Sequence, residues 1–193
     1  MSSTRFRSLN SKMPLPNPNE VYRGPFFSVA DEILIDPEGV KIRRVTIRHP
    51  GGAAVMPVDE KGRILLVRQY RHATLDYLWE LPAGRIDAGE KPIQTAKREL
   101  AEETGYRAAR WKKLGMIYPS PGILDERLHL YLATGLREAG KLPQHEEEDE
   151  RVTLRWFTAK ELDRMIEKGK LPDGKTLCAY LTWQRFAKKG IRA

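Results

Sequence analysis

Residues 84–106, GRIDAGEKPIQTAKRELAEETGY, are the most informative part of this sequence for its fold. Within it, Pro92 suits the first turn of a helix, where its missing N–H leaves no hydrogen bond unmade. Gly105 suits the position just beyond a helix end, where the backbone turns left-handed. The spacing therefore predicts a helix over Pro92 to Thr104.

This helix predicts a cluster of carboxylates. At ~100° per residue its apolar residues fall within an arc of roughly 60°, while Glu99, Glu102 and Glu103 occupy an adjoining arc of about 100°. Like charges at this spacing raise one another's pKa, and Arg98 compensates them poorly. Because hard oxygen ligands favour Mg²⁺, with Mn²⁺ as a substitute, the pattern indicates phosphate chemistry. On periodicity alone, a solvated acidic face is the alternative.

The fixed positions of the stretch carry a family resemblance. Gly84 is followed after five residues by Glu90, and after seven more by the run RELAEETGY, residues 98–106. Chance would supply these seven matches less often than about once in 10⁸ starting positions. The pattern resembles the signature of the Nudix hydrolase family, which outweighs the solvated-face alternative.

The resemblance implies a fold and a set of metal ligands. Nudix hydrolases are α/β/α sandwiches with a mixed sheet, and this chain adds an N-terminal antiparallel β-hairpin region. The metal ligands implied are Glu99, Glu102 and Glu103 together with the backbone carbonyl of Ala83. We expect a Mg²⁺-dependent hydrolase that directs water at a phosphorus of a nucleoside diphosphate linked to another group.

Flanking sequence is similar to the ADP-ribose pyrophosphatases of this family. The matching runs are RQYR at 68–71, WELPAG at 79–84 and SPG at 120–122, and the resemblance spans roughly Val21 to Phe186. It implies hydrolysis of ADP-ribose or related ADP-sugars to AMP and ribose 5-phosphate. GDP-mannose or another nucleotide sugar is the alternative substrate, because its hydrolases share the SPG run. A non-catalytic nucleotide- or RNA-binding protein on the same fold is the third hypothesis.

Relatives of this kind carry their general base on an acidic loop with the pattern Glu-x-Glu-x-(Ile/Val). Here Glu148 to Val152 fits the pattern, which implies Glu148 as the catalytic base and Glu150 as the second choice. Without the family context, the acidic run would be only a solvated segment.

The resemblance also implies substrate contacts. The candidates are Arg71 and Arg44 for phosphates and ribose, Phe26 and Phe27 for stacking on adenine, Glu80 at the mouth of the site, and Pro121 with Gly122 in the SPG run. The alternative for Arg44 is a surface charge, and for the two phenylalanines it is ordinary packing. Because relatives are domain-swapped homodimers, Phe26 to His49 is expected to cross an interface.

Composition limits the class of protein. The formal net charge is +8, from 34 Lys and Arg against 26 Asp and Glu, which favours an anionic partner. Nucleic acid is not favoured, since no helix-turn-helix or aromatic RNA-binding motif is evident. The apolar stretches are shorter than the ~20 residues of a membrane span, and no apolar run follows Arg5 and Arg7, so we expect a cytoplasmic protein. The single Cys178 is expected to pack in a helix.

Three segments and a mixed α/β pattern are predicted. Residues 1–20 are a flexible arm, 21–50 an N-terminal β-region for dimerisation and the substrate pocket, and 51–193 the catalytic domain. Two hairpins are expected around the turns at 36–39 and 59–62. Further strands are predicted at Trp111 to Tyr118, Leu128 to Ala133 and Val152 to Phe157, and further helices at Ala159 to Lys168 and Thr176 to Lys188.

Overall fold

The structure is a computed structural model that describes residues 19–140 and 153–188. The chain divides into two compact units, Met1–Arg48 and His49–Ala193. No helix in the described ranges has the length and apolar content that crossing a bilayer requires.

The strands and helices follow in chain order. The strands are β1 (Asn19–Arg23), β2 (Ser28–Ile35), β3 (Lys41–Arg48), β4 (Gly52–Pro57), β5 (Ile64–Arg71), β6 (Asp76–Glu80), β7 (Ala83–Arg85), β8 (Tyr106–Ile117), β9 (Leu128–Glu138) and β10 (Thr153–Phe157). The helices are α1 (Pro92–Thr104), α2 (Ala159–Glu167) and α3 (Gly174–Lys188).

The first unit is an antiparallel sheet in the order β1-β2-β3. The turn between β2 and β3 forms because the Asp36 carboxylate accepts the backbone N–H groups of Glu38 and Val40, at 3.0 and 2.8 Å, while Gly39 adopts φ 84°. The predicted hairpin is confirmed. The last two residues of the predicted arm, Asn19 and Glu20, instead belong to β1, and residues 1–18 lie outside the described ranges.

A four-stranded mixed sheet forms the centre of the second unit. Its order is β7-β4-β9-β8, with β4 and β9 parallel and the other pairs antiparallel. Strand β4 is buried along its whole length, which is typical of a central strand covered on both faces.

Helices cover both faces of this sheet. Ala53 and Val55 on β4 pack in one cluster with Ala96 and Leu100 of α1. The alternate residues Ala54 and Met56 pack in another cluster with Ala179 and Tyr180 of α3. Since neighbouring residues of a strand point to opposite faces, α1 and α3 lie on opposite sides, and the predicted α/β/α sandwich is confirmed.

The expected second hairpin is wrong in one respect. The turn at 59–62 is present, with the Gly62 N–H donating to the Asp59 carbonyl at 3.0 Å. Strands β4 and β5 nevertheless belong to different sheets, and β5 pairs with β6 and β10. Strand β4 pairs with β9 on one edge and with β7 on the other over Gly52–Ala54, so its pairing with the β5 segment is limited to the isolated antiparallel bridge between Val58 and Ile64 beside the turn.

Helix limits differ from expectation only at α2 and α3. The α1 limits are confirmed, while α2 ends one residue earlier, at Glu167. Helix α3 begins at Gly174, two residues before the predicted start, because the Asp173 carboxylate accepts the Thr176 N–H at 3.0 Å and caps the helix. Cys178 is exposed on α3, so its predicted packing role is wrong.

Candidate active site

Helix α1 is held at both ends by local sequence. The Lys91 N–H donates to the Gln94 side chain at 2.8 Å, and Pro92 occupies the first turn. At the other end Gly105 adopts φ 71° and its N–H donates to the Ala101 carbonyl at 3.0 Å. Because its apolar face packs on β4, the glutamates of α1 are fixed relative to the central sheet.

The Glu99 carboxylate lies directly against Gly84 of β7. A β-carbon built on Gly84 would stand 1.8 Å from Glu99 Oε1 and 2.1 Å from Cδ. No other residue type fits at this position unless Glu99 moves. Burial raises the pKa of Glu99 above its ordinary range, although Arg98 opposes the shift.

Glu103 faces the segment just before Gly84. Its Oε2 accepts the Ala83 N–H at 3.1 Å. Burial, with a contribution from the Glu99 charge, raises the pKa of Glu103 to about 8, while the Ala83 N–H, Arg71 and Lys175 oppose the rise. Near neutral pH this carboxyl therefore retains a proton that a cation would displace.

Arg98 joins four carboxylates around the start and middle of α1. Its Nη1 donates to Glu99 at 2.6 Å and to Glu102 at 3.0 Å, and its Nη2 donates to Glu90 at 3.2 Å. A further ion pair to Asp87 spans 3.6 Å. The Arg98 hydrogen bonds, assisted by Thr95, lower the pKa of Glu90 to about 2. Arg98 thus compensates the acidic cluster far more than the sequence indicated.

Within residues 19–140 and 153–188, no three His, Cys, Asp or Glu side chains stand close enough together to hold a metal ion. Helical geometry predicted such a group, and the ion pairs of Arg98 with Glu99 and Glu102 account for the difference. The donor set itself fits a hard divalent cation: three carboxylates on one helix, one pressed into the space left by Gly84 and one with a raised pKa.

A cavity of about 660 Å³ adjoins this acidic cluster. Ala83 and Gly84, which contact Glu103 and Glu99, form part of its wall. The polar side chains of the described residues that line it are His49, Arg71, Arg85, Tyr118, Glu126, Asp173, Lys175 and Cys178. A concave site of this volume, with more cationic than anionic side chains, suits a phosphorylated small molecule.

Arg71 enters this cavity from the end of β5 and is oriented by Glu80. Its Nε and Nη2 each donate to the Glu80 carboxylate at 2.8 Å, and Lys175 pairs with the same carboxylate. Although burial favours the neutral acid, Arg71 and Lys175 hold the pKa of Glu80 below its ordinary value. Glu80 is only 1% exposed, so the prediction that it lies at the mouth of the site is wrong.

Sequence reasoning missed a second group on the cavity wall. The His49 N–H donates to Asp125 at 2.8 Å, and His49 Nδ1 lies 3.5 Å from Glu126 Oε1. Asp173 and Lys175 were missed because the predicted start of α3 excluded them. The one available signal was the Asp-Gly-Lys-Thr run at 173–176, since aspartate followed by a helix is a capping pattern.

The remaining predicted residues lie elsewhere in the chain. Arg44 is exposed on β3 and donates to the Arg43 carbonyl at 3.0 Å. Phe26 and Phe27 stand between β1 and β2, with ring centroids 5.3 Å apart in an edge-to-face contact. Pro121 and Gly122 are exposed and, of the described residues that line the cavity, Pro119 is the nearest to them in sequence. Glu148 and Glu150 lie outside the described residues.

Comparison with known proteins identifies the class. The family model described as the NUDIX domain matches residues 48–180. The chain therefore belongs to the Nudix family and is a hydrolase. Nudix hydrolases generally use divalent metal ions, which agrees with the carboxylate chemistry of α1.

Relatives that match most of the chain include ADP-ribose pyrophosphatases and GDP-mannose pyrophosphatases. The chain is 38% identical to an ADP-ribose pyrophosphatase of Mycobacterium tuberculosis, over 83% of this chain and 78% of the relative. It is 35% identical to an ADP-ribose pyrophosphatase of Bacillus subtilis, over 90% and 92%. It is also 32% identical to a GDP-mannose pyrophosphatase of Cronobacter sakazakii, over 81% and 83%.

A solved structure shares the fold. The crystal structure of an ADP compounds hydrolase superposes with a TM-score of 0.72 at 23% sequence identity, covering 91% of this chain and 95% of that one.

Proposed function

We propose that this Nudix hydrolase cleaves the pyrophosphate bond of ADP-ribose, or of a related ADP-sugar, to give AMP and ribose 5-phosphate. One observation carries the proposal: the acidic face of α1 contacts Ala83 and Gly84, which form the wall of a cavity that Arg71 and Lys175 also line. The names of two relatives that cover most of the chain support the choice of substrate.

We propose Mg²⁺ as the cation, with Mn²⁺ as a substitute, held by Glu99, Glu102, Glu103 and the Ala83 carbonyl. When bound, it neutralises phosphate charge and makes the attacking water more acidic. The protein has to give up the ion pairs of Arg98 with Glu99 and Glu102 and the proton of Glu103. Arg98 keeps Glu90 as a partner, so its charge stays compensated when the other two carboxylates turn to the cation.

The chemistry requires one proton transfer and one bond exchange. Water oxygen bonds to one phosphorus, the bridging P–O bond breaks, and two phosphomonoesters leave. We propose that Glu148 accepts the proton from this water, with Glu150 as the second candidate. Arg71 binds a phosphate while Glu80 orients its guanidinium, and Arg44, Phe26, Phe27, Pro121 and Gly122 contribute further substrate contacts.

The test is product analysis with purified protein, Mg²⁺ and ADP-ribose in ¹⁸O-labelled water. We expect equal amounts of AMP and ribose 5-phosphate, with label in one of the two phosphates, and no turnover with a chelator. Absence of AMP release would overturn the substrate assignment. Glu148→Gln and Glu150→Gln, assayed side by side, decide which glutamate is the base, because the base variant loses rate that higher pH restores only in part.

GDP-mannose is the second candidate, favoured by the relative in Cronobacter sakazakii. A rate comparison of ADP-ribose, other ADP-sugars and GDP-mannose at equal concentration separates the two, because specificity is a ratio of kcat/KM values. A higher kcat/KM for GDP-mannose replaces the first assignment. Salt-sensitive nucleic-acid binding without turnover would favour the third hypothesis from the sequence.

We also propose a domain-swapped homodimer that works in the cytoplasm. The first unit exposes several apolar side chains, including Ile33 at 66% and Ile35 at 64%, which favours a protein interface there. The single cysteine gives no disulfide framework of the kind that secreted domains use.

A further inference from the structure

The first turn of α3 holds the backbone segment that contacts the glutamates of α1. The Leu81 N–H donates to Thr176 Oγ1 at 2.9 Å, across 95 residues of sequence. The Thr176 hydroxyl in turn donates to Asp173 Oδ2 at 2.5 Å. Both Leu81 and Thr176 are only 1% exposed, so this hydrogen bond is shielded from water.

The held segment is fixed residue by residue. After Leu81, the Pro82 carbonyl accepts the Val55 N–H of β4 at 2.9 Å. The next residue, Ala83, donates its N–H to Glu103, and Gly84 makes the close contact with Glu99. Thr176 therefore holds one end of the four-residue segment 81–84. The other end of this segment contacts the carboxylates of Glu103 and Glu99.

The same turn of α3 also positions the cationic side chains that line the cavity. Lys175 donates to Asp173 Oδ1 at 2.9 Å and pairs with Glu80, the carboxylate that orients Arg71. Asp173 thus accepts from Thr176 with one oxygen and from Lys175 with the other. One turn of helix consequently fixes both the cationic wall and the backbone beside the acidic cluster.

We propose that Thr176, held by Asp173, is a positioning residue for divalent-cation binding in this hydrolase, acting through segment 81–84. Its hydroxyl keeps Ala83 and Gly84 at the distance from which Glu103 and Glu99 reach a cation. The proposal rests on the assignment of these glutamates as ligands, and not on which nucleotide sugar is the substrate.

The test compares Thr176→Val, which removes the hydroxyl at similar volume, with Thr176→Ser, which keeps it. Mn²⁺ binding is measured on the substrate-free protein by electron paramagnetic resonance, and kcat and KM are measured separately. We expect Mn²⁺ affinity and kcat to fall about 10- to 100-fold in Thr176→Val, as is usual for residues that support metal ligands. We expect KM to change little and Thr176→Ser to stay within about twofold of wild type for affinity and rate.

Two further variants serve as a control and as an independent test. Thr158→Val is the matched control, because it removes a threonine cap whose side-chain hydrogen bonds, within the described ranges, run only to Glu161 of α2. It should lower the melting temperature without changing Mn²⁺ affinity. Asp173→Asn can still cap α3 but loses the charge that holds Thr176 and Lys175, so it should weaken Mn²⁺ binding. This variant tests the proposal if Thr176→Val does not fold.

Wild-type Mn²⁺ affinity in folded Thr176→Val or in Asp173→Asn would overturn the proposal, as would equal loss in Thr176→Ser and Thr176→Val. Failure of the wild type to hydrolyse ADP-ribose would overturn the substrate assignment alone, since the Mn²⁺ comparison uses no substrate.

Discussion

At the scale of single residues, the acidic site depends on very short distances. Glu99 occupies the space that a side chain at position 84 would fill, and Glu103 has a pKa raised to about 8 by burial and by Glu99. Arg98 compensates Glu99 and Glu102 but donates no hydrogen bond to Glu103 in the described part of the chain. Glu103 therefore retains a proton near neutral pH that a bound cation would displace.

Glu103→Gln should abolish turnover and change the pH dependence of stability. Because the pKa of Glu103 is raised on folding, its carboxyl imposes no cost below its unfolded pKa of about 4.3, and stability is lost as pH rises through about 8. Without divalent cation, the wild-type melting temperature should fall from about pH 5 to 9 more steeply than that of Glu103→Gln. Parallel curves for the two proteins, measured by calorimetry, would contradict the raised pKa.

Gly84→Ala should displace the Glu99 carboxylate, since its Oε1 would stand 1.8 Å from the new β-carbon. We expect kcat to fall at least about 100-fold, and unfolding in urea to show a loss of about 1–3 kcal/mol from overpacking. Gly115→Ala is the control, because nothing lies within 4 Å of its β-carbon position. Activity in Gly84→Ala equal to that of the control would show that Glu99 is not needed where it stands.

At the scale of elements, α1 is a helix whose charged side is organised by one internal arginine. Arg98 donates to Glu90 just before the helix, to its neighbour Glu99 and to Glu102 one turn later. Although its partial burial favours the neutral form, the carboxylates raise the pKa of Arg98. A cation that binds Glu99 and Glu102 replaces Arg98 as their partner. Arg98 then remains ion-paired with Glu90.

Glu90→Gln should destabilise α1 and weaken cation binding. The pKa of Glu90 is lowered to about 2 by Arg98, so its contribution to stability is present above the unfolded pKa near 4.3 and is lost as pH falls towards 2. The melting temperature should drop at pH 7, and the difference from wild type should shrink below about pH 4. A difference that persists unchanged at low pH would indicate a packing effect instead of the Arg98 interaction.

Across the molecule, the two units differ in how far their apolar side chains are buried. The second unit has a core on each face of its central sheet. In the first unit, Ile33, Ile35 and Val45 share one face of the sheet, because Val45 pairs with Asp31 and Ile33 with Arg43 in register. These three apolar side chains are all exposed, as expected of a face that a second copy covers.

Ile33→Asp combined with Val45→Asp should convert the proposed dimer into a monomer. The two side chains are 66% and 49% exposed in the single chain, so charging them leaves the chain's own core intact. Light scattering after size exclusion gives the mass, and turnover should fall if the partner completes the pocket. Leu75→Asp, at a residue 76% exposed in the second unit, is the control. A wild-type monomer, or a double variant that stays dimeric, would contradict the proposal.

The limits of α1, the carboxylates on one of its faces, the hydrolase family and the sandwich fold could all be predicted from the sequence. The helix limits and the carboxylate face depend on helical period and capping, which are encoded within a few neighbouring residues. The family and its fold were implied by the resemblance of residues 84–106 to the Nudix signature. Three features became visible only in the folded chain: the Leu81 N–H donates to Thr176, Arg71 and Lys175 share the buried Glu80, and β4 and β5 belong to two different sheets. Such contacts join residues as many as 95 positions apart, so they follow from how elements pack and not from any local pattern.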